Sequence, residues 1–86
     1  MSYKRSRLEV YLDVLQAIND GLDKPTRIMY GTNLSWKTLQ EILVSMVDQE
    51  LISVNSKKRS KRYSILPKGI RALQYFLKVQ EQFTIR

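Results

Sequence analysis

Apolar residues recur at helical spacing in three separate windows of the chain, and two short runs between the second and third of these alternate instead. In the first window Leu8, Leu12, Leu15 and Ile18 stand three or four residues apart, with Tyr11 and Val14 widening the stripe. That spacing places them on one face of a helix over about residues 6–19. Ser6-Arg7-Leu8-Glu9 has the form of a capping box, in which Ser6 caps the helix and Glu9 reaches back to its free amide. Asn19-Asp20-Gly21 supplies the stop, Gly21 suiting a left-handed cap. A second, shorter helix opens with Asp23 or Lys24 as cap and Pro25 in the first turn, where its missing N–H costs nothing. Ile28 and Met29 are its apolar residues and Gly31 is expected to end it. After the short turn Gly31-Thr32-Asn33-Leu34, Ser35 caps a third helix. Trp36, Leu39, Ile42, Leu43, Met46 and Val47 give it a strong helical period through about Gln49. Trp36 and Tyr30 are read as core.

Leu51-Ile52-Ser53-Val54 and Tyr63-Ser64-Ile65-Leu66 alternate roughly as half-buried strands do, which predicts a hairpin. Pro67 then opens a last helix to about Gln82. Its apolar surface exceeds what one core face needs. Ile70, Leu73 and Leu77 continue from Leu66, while Ala72, Phe76, Val79 and Phe83 form an offset stripe with the spacing of a coiled-coil seam. The fold class is therefore mainly α with a small β-hairpin, in the order α-α-α-β-β-α. At 86 residues it is a single domain, near the lower limit for a self-sufficient core, which favours dimerisation. A dimer interface is assigned to Ala72, Phe76, Val79 and Phe83 on the helix spanning 67–83. Packing of this seam onto the first helix is the alternative.

Charge changes the picture. The net charge is +7, but residues 8–52 carry three cations against seven acids, a balance of −4. Residues 53–80 carry eight cations and no acid. Five of these, Lys57, Lys58, Arg59, Lys61 and Arg62, crowd the expected hairpin tip. Like charges on a prong destabilise a small domain, yet they suit contact with a phosphate backbone. Residues 1–5 begin a basic arm, where Lys4 and Arg5 with Arg7 either follow phosphates or fray. A polyanionic partner follows, nucleic acid before an anionic membrane.

Several chemistries are excluded. The chain has no cysteine and no histidine, which removes disulfides, thiolate metal sites and the commonest general base. No carboxylate pair sits in an apolar setting and no glycine-rich phosphate loop is present, so no enzyme, cofactor, metal or small-molecule ligand is expected. No run approaches the ~20 apolar residues of a membrane span, and the chain reads as soluble and cytoplasmic.

A short helix, a tight turn and a longer helix make a helix-turn-helix, and a basic hairpin after it makes a winged helix. Off the apolar stripe of the third helix lie Ser35, Lys37, Thr38, Gln40, Glu41 and Ser45. Lys37 and Gln40 are types that read base edges, and Ser35 and Thr38 can bond phosphate or bases. A merely solvated polar face is the plainer reading of these positions. Glu41 faces phosphate unfavourably unless it reads cytosine. Lys24 and Arg27 join the candidate DNA-binding set from the start of the second helix, where backbone N–H groups also favour phosphate. Arg62 can instead pair at the sheet edge.

Pro25-Thr26-Arg27-Ile28-Met29-Tyr30-Gly31-Thr32-Asn33-Leu34-Ser35-Trp36 resembles the signature of small archaeal winged-helix proteins. These are the ten-kilodalton DNA-binding proteins that dimerise through a C-terminal antiparallel coiled coil. Tyr63-Ser64-Ile65-Leu66-Pro67-Lys68-Gly69 resembles their strand-to-helix junction, with Leu66 where a threonine is usual. The resemblance runs from Leu8 to about Leu77. It implies double-stranded DNA binding by a homodimer, in transcriptional regulation or in nucleoid-associated chromatin. The rival reading is a winged-helix docking module that binds protein, and a weaker third is RNA binding.

Overall fold

The computed structural model describes residues 6–57 and 59–82. Its elements follow the expected order: α1 (Arg7–Asn19), α2 (Pro25–Thr32), α3 (Trp36–Asp48), β1 (Ile52–Lys57), β2 (Ser60–Ile65) and α4 (Pro67–Gln82). Four helices and a two-stranded antiparallel hairpin make the molecule mainly helical.

Local chemistry sets the helix ends. The Ser6 hydroxyl accepts from the Glu9 amide at 3.1 Å, and the Glu9 carboxylate accepts from the Ser6 amide at 3.0 Å, completing the capping box. At the other end of α1 the Leu22 amide donates to the Ala17 carbonyl and the Gly21 amide to that of Ile18. This paired closure turns on Gly21 at φ +105°. Helix α3 ends the same way, with Leu51 bonding Met46 and Glu50 bonding Val47, but here Glu50 occupies the left-handed position at φ 62°. A left-handed residue with a Cβ is strained by about 1–2 kcal/mol. Glu50→Gly is therefore expected to stabilise the fold by about 0.5–1 kcal/mol after the added flexibility of glycine is offset. Thermal unfolding would show this as a Tm raised by several degrees.

The end of α2 departs from expectation. Gly31 lies within the helix, and Asn33 takes the left-handed cap at φ 58°. The Thr32 hydroxyl donates to the Ile28 carbonyl at 2.7 Å, keeping a buried polar atom satisfied inside the last turn. The turn between α2 and α3 thus contracts to Asn33, Leu34 and Ser35.

The core forms where α1, α2 and α3 meet, around Val14, Ile28, Leu39 and Met46. The hairpin seals it with Ile52 and Tyr63, and α4 contributes Leu73. Burial pushes the Tyr63 phenol above its ordinary pKa, so this ring stays neutral. The strands reach further than the apolar alternation suggests. Ile52 pairs with Ile65, Val54 with Tyr63 and, at the outer end, Lys57 with Ser60. On α4, Leu73 points into the core, Ala72, Phe76 and Val79 are half-buried, and Tyr75 and Leu77 are exposed. Phe83, Lys58 and the arm residues Lys4 and Arg5 lie outside the described residues.

Candidate nucleic-acid interface

Helix α3 buries Leu39, Ile42, Leu43 and Met46. Helical geometry then turns Lys37, Glu41, Val44 and Asp48 to the opposite side, and all four are exposed. Gln40, half-buried, and Trp36 sit on the flank towards the wing. They share a groove of about 410 Å³ with Lys24, Pro25 and Thr26 at the start of α2 and with residues 59–62 of the wing.

The wing is fixed to the body at its base. The Tyr63 amide donates to the Asp23 carbonyl at 2.9 Å, adding the loop before α2 to the edge of β2. Beside it the Arg62 guanidinium meets the Asp23 carboxylate at 3.0 Å. Both partners are half-exposed, so the ion pair contributes little stability. Its effect is geometric: one loop residue holds β2 against the start of α2, which sets the width of the groove.

The register sorts the cations of the wing. Lys61 lies opposite Ser56 on the same side of the hairpin as Val54 and Tyr63, whereas Lys57 and Arg62 share the other side with Asn55. Lys57, Arg59 and Lys61 are exposed and, like Lys24, Arg27 and Lys37, carry no ion pair to another described residue. The expectation that all five basic residues occupy a loop tip is corrected. Lys57, Lys61 and Arg62 stand on the strands, so backbone pairing fixes their direction.

Other expected residues are partly committed elsewhere. The Ser35 hydroxyl accepts from the Thr38 amide at 3.2 Å and donates to the Thr38 hydroxyl at 2.9 Å. Ser35 thus has only acceptor capacity left, while the Thr38 hydroxyl keeps its own proton to give to a phosphate oxygen. Lys68 is spent on α3, its ammonium donating to the Gln49 carbonyl at 2.8 Å. Trp36 and Tyr30 are not core: they are 48% and 79% exposed. Helical periodicity missed this because Trp36 begins the stripe one turn before the core closes over it. Val44, 61% exposed, was also missed. It is an apolar residue at the centre of a polar face, and its offset from the buried stripe was the available signal.

A helix-turn-helix whose second helix is exposed along one side, followed by a basic two-stranded wing, defines a winged helix-turn-helix protein. The chain belongs to the winged helix-turn-helix family, whose model matches residues 4–83. It is 32% identical over 84 residues to the uncharacterised protein MJ0290 of Methanocaldococcus jannaschii, covering 98% of this chain and 36% of that protein. The chain therefore spans about a third of that relative. Among solved structures it is similar to BpsR of Bordetella bronchiseptica, whose DNA binding is regulated by 6-hydroxynicotinic acid, with TM-score 0.79 and 18% identity. That match covers 87% of this chain and 56% of BpsR. It is also similar to Sso10a-2, a DNA-binding protein from Sulfolobus solfataricus, with TM-score 0.75 and 23% identity over 92% of this chain and 85% of that one. The likeness to both solved structures is one of fold.

Proposed function

We propose that the protein binds double-stranded DNA as a homodimer, placing α3 in the major groove and the wing along the adjacent backbone. The observation that carries this reading is the groove between α3 and the wing, bordered by Lys24, Arg59 and Lys61. None of these three has an ion pair to another described residue. Cations without protein partners are available to displace the counterions condensed on DNA. Lys24 caps α2 without a side-chain hydrogen bond, so first-turn amides there can donate to a phosphate oxygen. Similarity to DNA-binding proteins of the same fold supports the reading.

The homodimer rests on α4. Tyr75 and Leu77 are exposed and Ala72, Phe76 and Val79 are only half-covered, more apolar surface than a helix facing water carries. Phe83 would extend the same seam. A dimer doubles the phosphate contacts and suits either transcriptional regulation or compaction of the nucleoid in the cytoplasm.

Titrating a random-sequence duplex by fluorescence anisotropy at several salt concentrations tests the reading. About five neutralised phosphates per subunit give a slope of log K against log salt of roughly −4 to −5, and about twice that for a dimer. Sedimentation equilibrium on the free protein reads the dimer separately. A slope near the single-subunit value with a monomeric protein would remove α4 from the interface. Absence of binding to any duplex at low salt would leave a protein-docking module, and tighter binding to RNA of matched sequence would leave an RNA-binding one.

A further inference from the structure

The outward face of α3 is badly composed for indiscriminate DNA binding. Glu41 stands at its centre, one turn from Lys37 and one from Val44, with Asp48 beyond, and all four are exposed. A carboxylate carried into a groove walled by phosphates is repelled wherever it finds no donor. Val44 likewise gains nothing from phosphate. A face built only to neutralise DNA would hold lysine, arginine or small polar residues at both positions.

We infer, on the footing of the DNA-binding reading above, that this face selects sequence, Glu41 accepting a hydrogen bond from a cytosine amino group and Val44 packing on a thymine methyl. The major groove exposes two amino donors, on cytosine and on adenine. Adenine sets its N7 acceptor beside the amino group, which repels a carboxylate; cytosine has no acceptor there. Glu41 therefore favours cytosine. Thymine carries the apolar group of the major groove, the C5 methyl, and Val44 presents a branched apolar side chain with no competing polar atom. The two residues are three apart, about 4.5 Å along the helix axis, against a base-pair rise of about 3.4 Å. The cytosine and thymine then lie on base pairs one or two steps apart. Lys37, on the turn before Glu41, is placed to donate to a guanine O6 or N7. The wing and Lys24 supply affinity without regard to sequence, and Glu41 removes part of it from every site that lacks the cytosine. On this inference the protein is a selective binder and not a general packaging protein.

Selection of bound duplexes from a randomised library by the full chain tests it. The expected result is enrichment of a motif holding a C·G pair within two steps of a T·A pair. Replacing that thymine by deoxyuracil, which lacks only the methyl, weakens wild-type binding about threefold to tenfold. It leaves Val44→Ala unaffected. Glu41→Gln shifts the preference at the cytosine position to adenine, whose amino group and N7 match a carboxamide, and tightens binding to random duplex. Both side chains are exposed, so neither change is expected to disturb folding, and circular dichroism of each variant checks this. Binding to the library with no motif enriched, or the same motif from Glu41→Gln, would overturn the inference while leaving DNA binding in place. A protein that binds no duplex at low salt would overturn both.

Discussion

Replacing Lys57, Arg59 and Lys61 together by glutamine is expected to leave a folded protein whose dimer binds DNA about five orders of magnitude more weakly. The size of the effect follows from counterion release. Each lost phosphate contact reduces the salt slope by about 0.9, so three reduce it by nearly 3 per subunit; at ~0.1 M salt this is about 500-fold in affinity per subunit, and about 100,000-fold for a dimer that loses both wings. Folding should not suffer. All three side chains are exposed and without ion pairs to described residues, and their removal relieves repulsion between like charges on a narrow hairpin. The strands stay paired because the register rests on backbone bonds and on Ile52, Val54, Tyr63 and Ile65 at the base. Lys68→Gln is the matched control. It removes one charge of the same sign, but Lys68 holds the Gln49 carbonyl at the end of α3. The expected loss is about 1 kcal/mol of stability with the salt slope unchanged. An unaltered slope in the triple variant, measured by anisotropy beside circular dichroism of its fold, would take the wing off the DNA.

What could be read from the sequence divides along the line between local and tertiary causes. The capping box at Ser6 and Glu9, the stop at Gly21 and the cap at Ser35 are contacts within a few residues, and each forms as its spacing predicts. Periodicity located α1, α3 and α4 for the same reason, and Pro25 marked the start of α2. Gly31 does not end α2 as expected, because the helix runs on to Thr32 and the left-handed cap falls at Asn33. The outer halves of the strands carry Asn55, Ser56 and Lys57, which give no alternation, so backbone pairing alone extends the wing.

The site was half legible. Charge density marked the wing, and order along the chain marked α3. No spacing rule could join Arg62 to Asp23, which lie 39 residues apart, yet that contact sets the wing beside α2. Trp36 is placed in the core by its sequence pattern and Val44 is given no role, because both are apolar and an apolar residue on a helix is expected inside. The exposed side of α3 is defined by where the core closes, and the core closes on Leu39 and Leu43 rather than on the first turn.

Gly69→Ala is expected to destabilise the protein by about 1–3 kcal/mol, although the same change in most helices is stabilising. Glycine inside a helix ordinarily costs about 1 kcal/mol relative to alanine, and Gly69 lies in the first turn of α4. Here the added Cβ would fall well inside van der Waals contact of the Leu51 carbonyl oxygen and 2.9 Å from a side-chain carbon of Ile65. The carbonyl cannot swing away, because it accepts from the Leu66 amide at 3.0 Å and belongs to the link between α3 and the wing. Relief requires shifting the start of α4 from the hairpin base, a backbone movement of the kind that makes overpacking costly. In a domain of this size each kcal/mol lowers Tm by about 4–8 °C. Gly31→Ala supplies the contrast, since the atom it meets is the far end of the Leu22 side chain, which can rotate aside, and its stability should stay near wild type. Calorimetry on the two variants separates the cases. Equal stability for both would mean that α4 does not seat tightly against the link. The wing would then be held to the body chiefly by Asp23, and the groove would owe its width to that single loop residue.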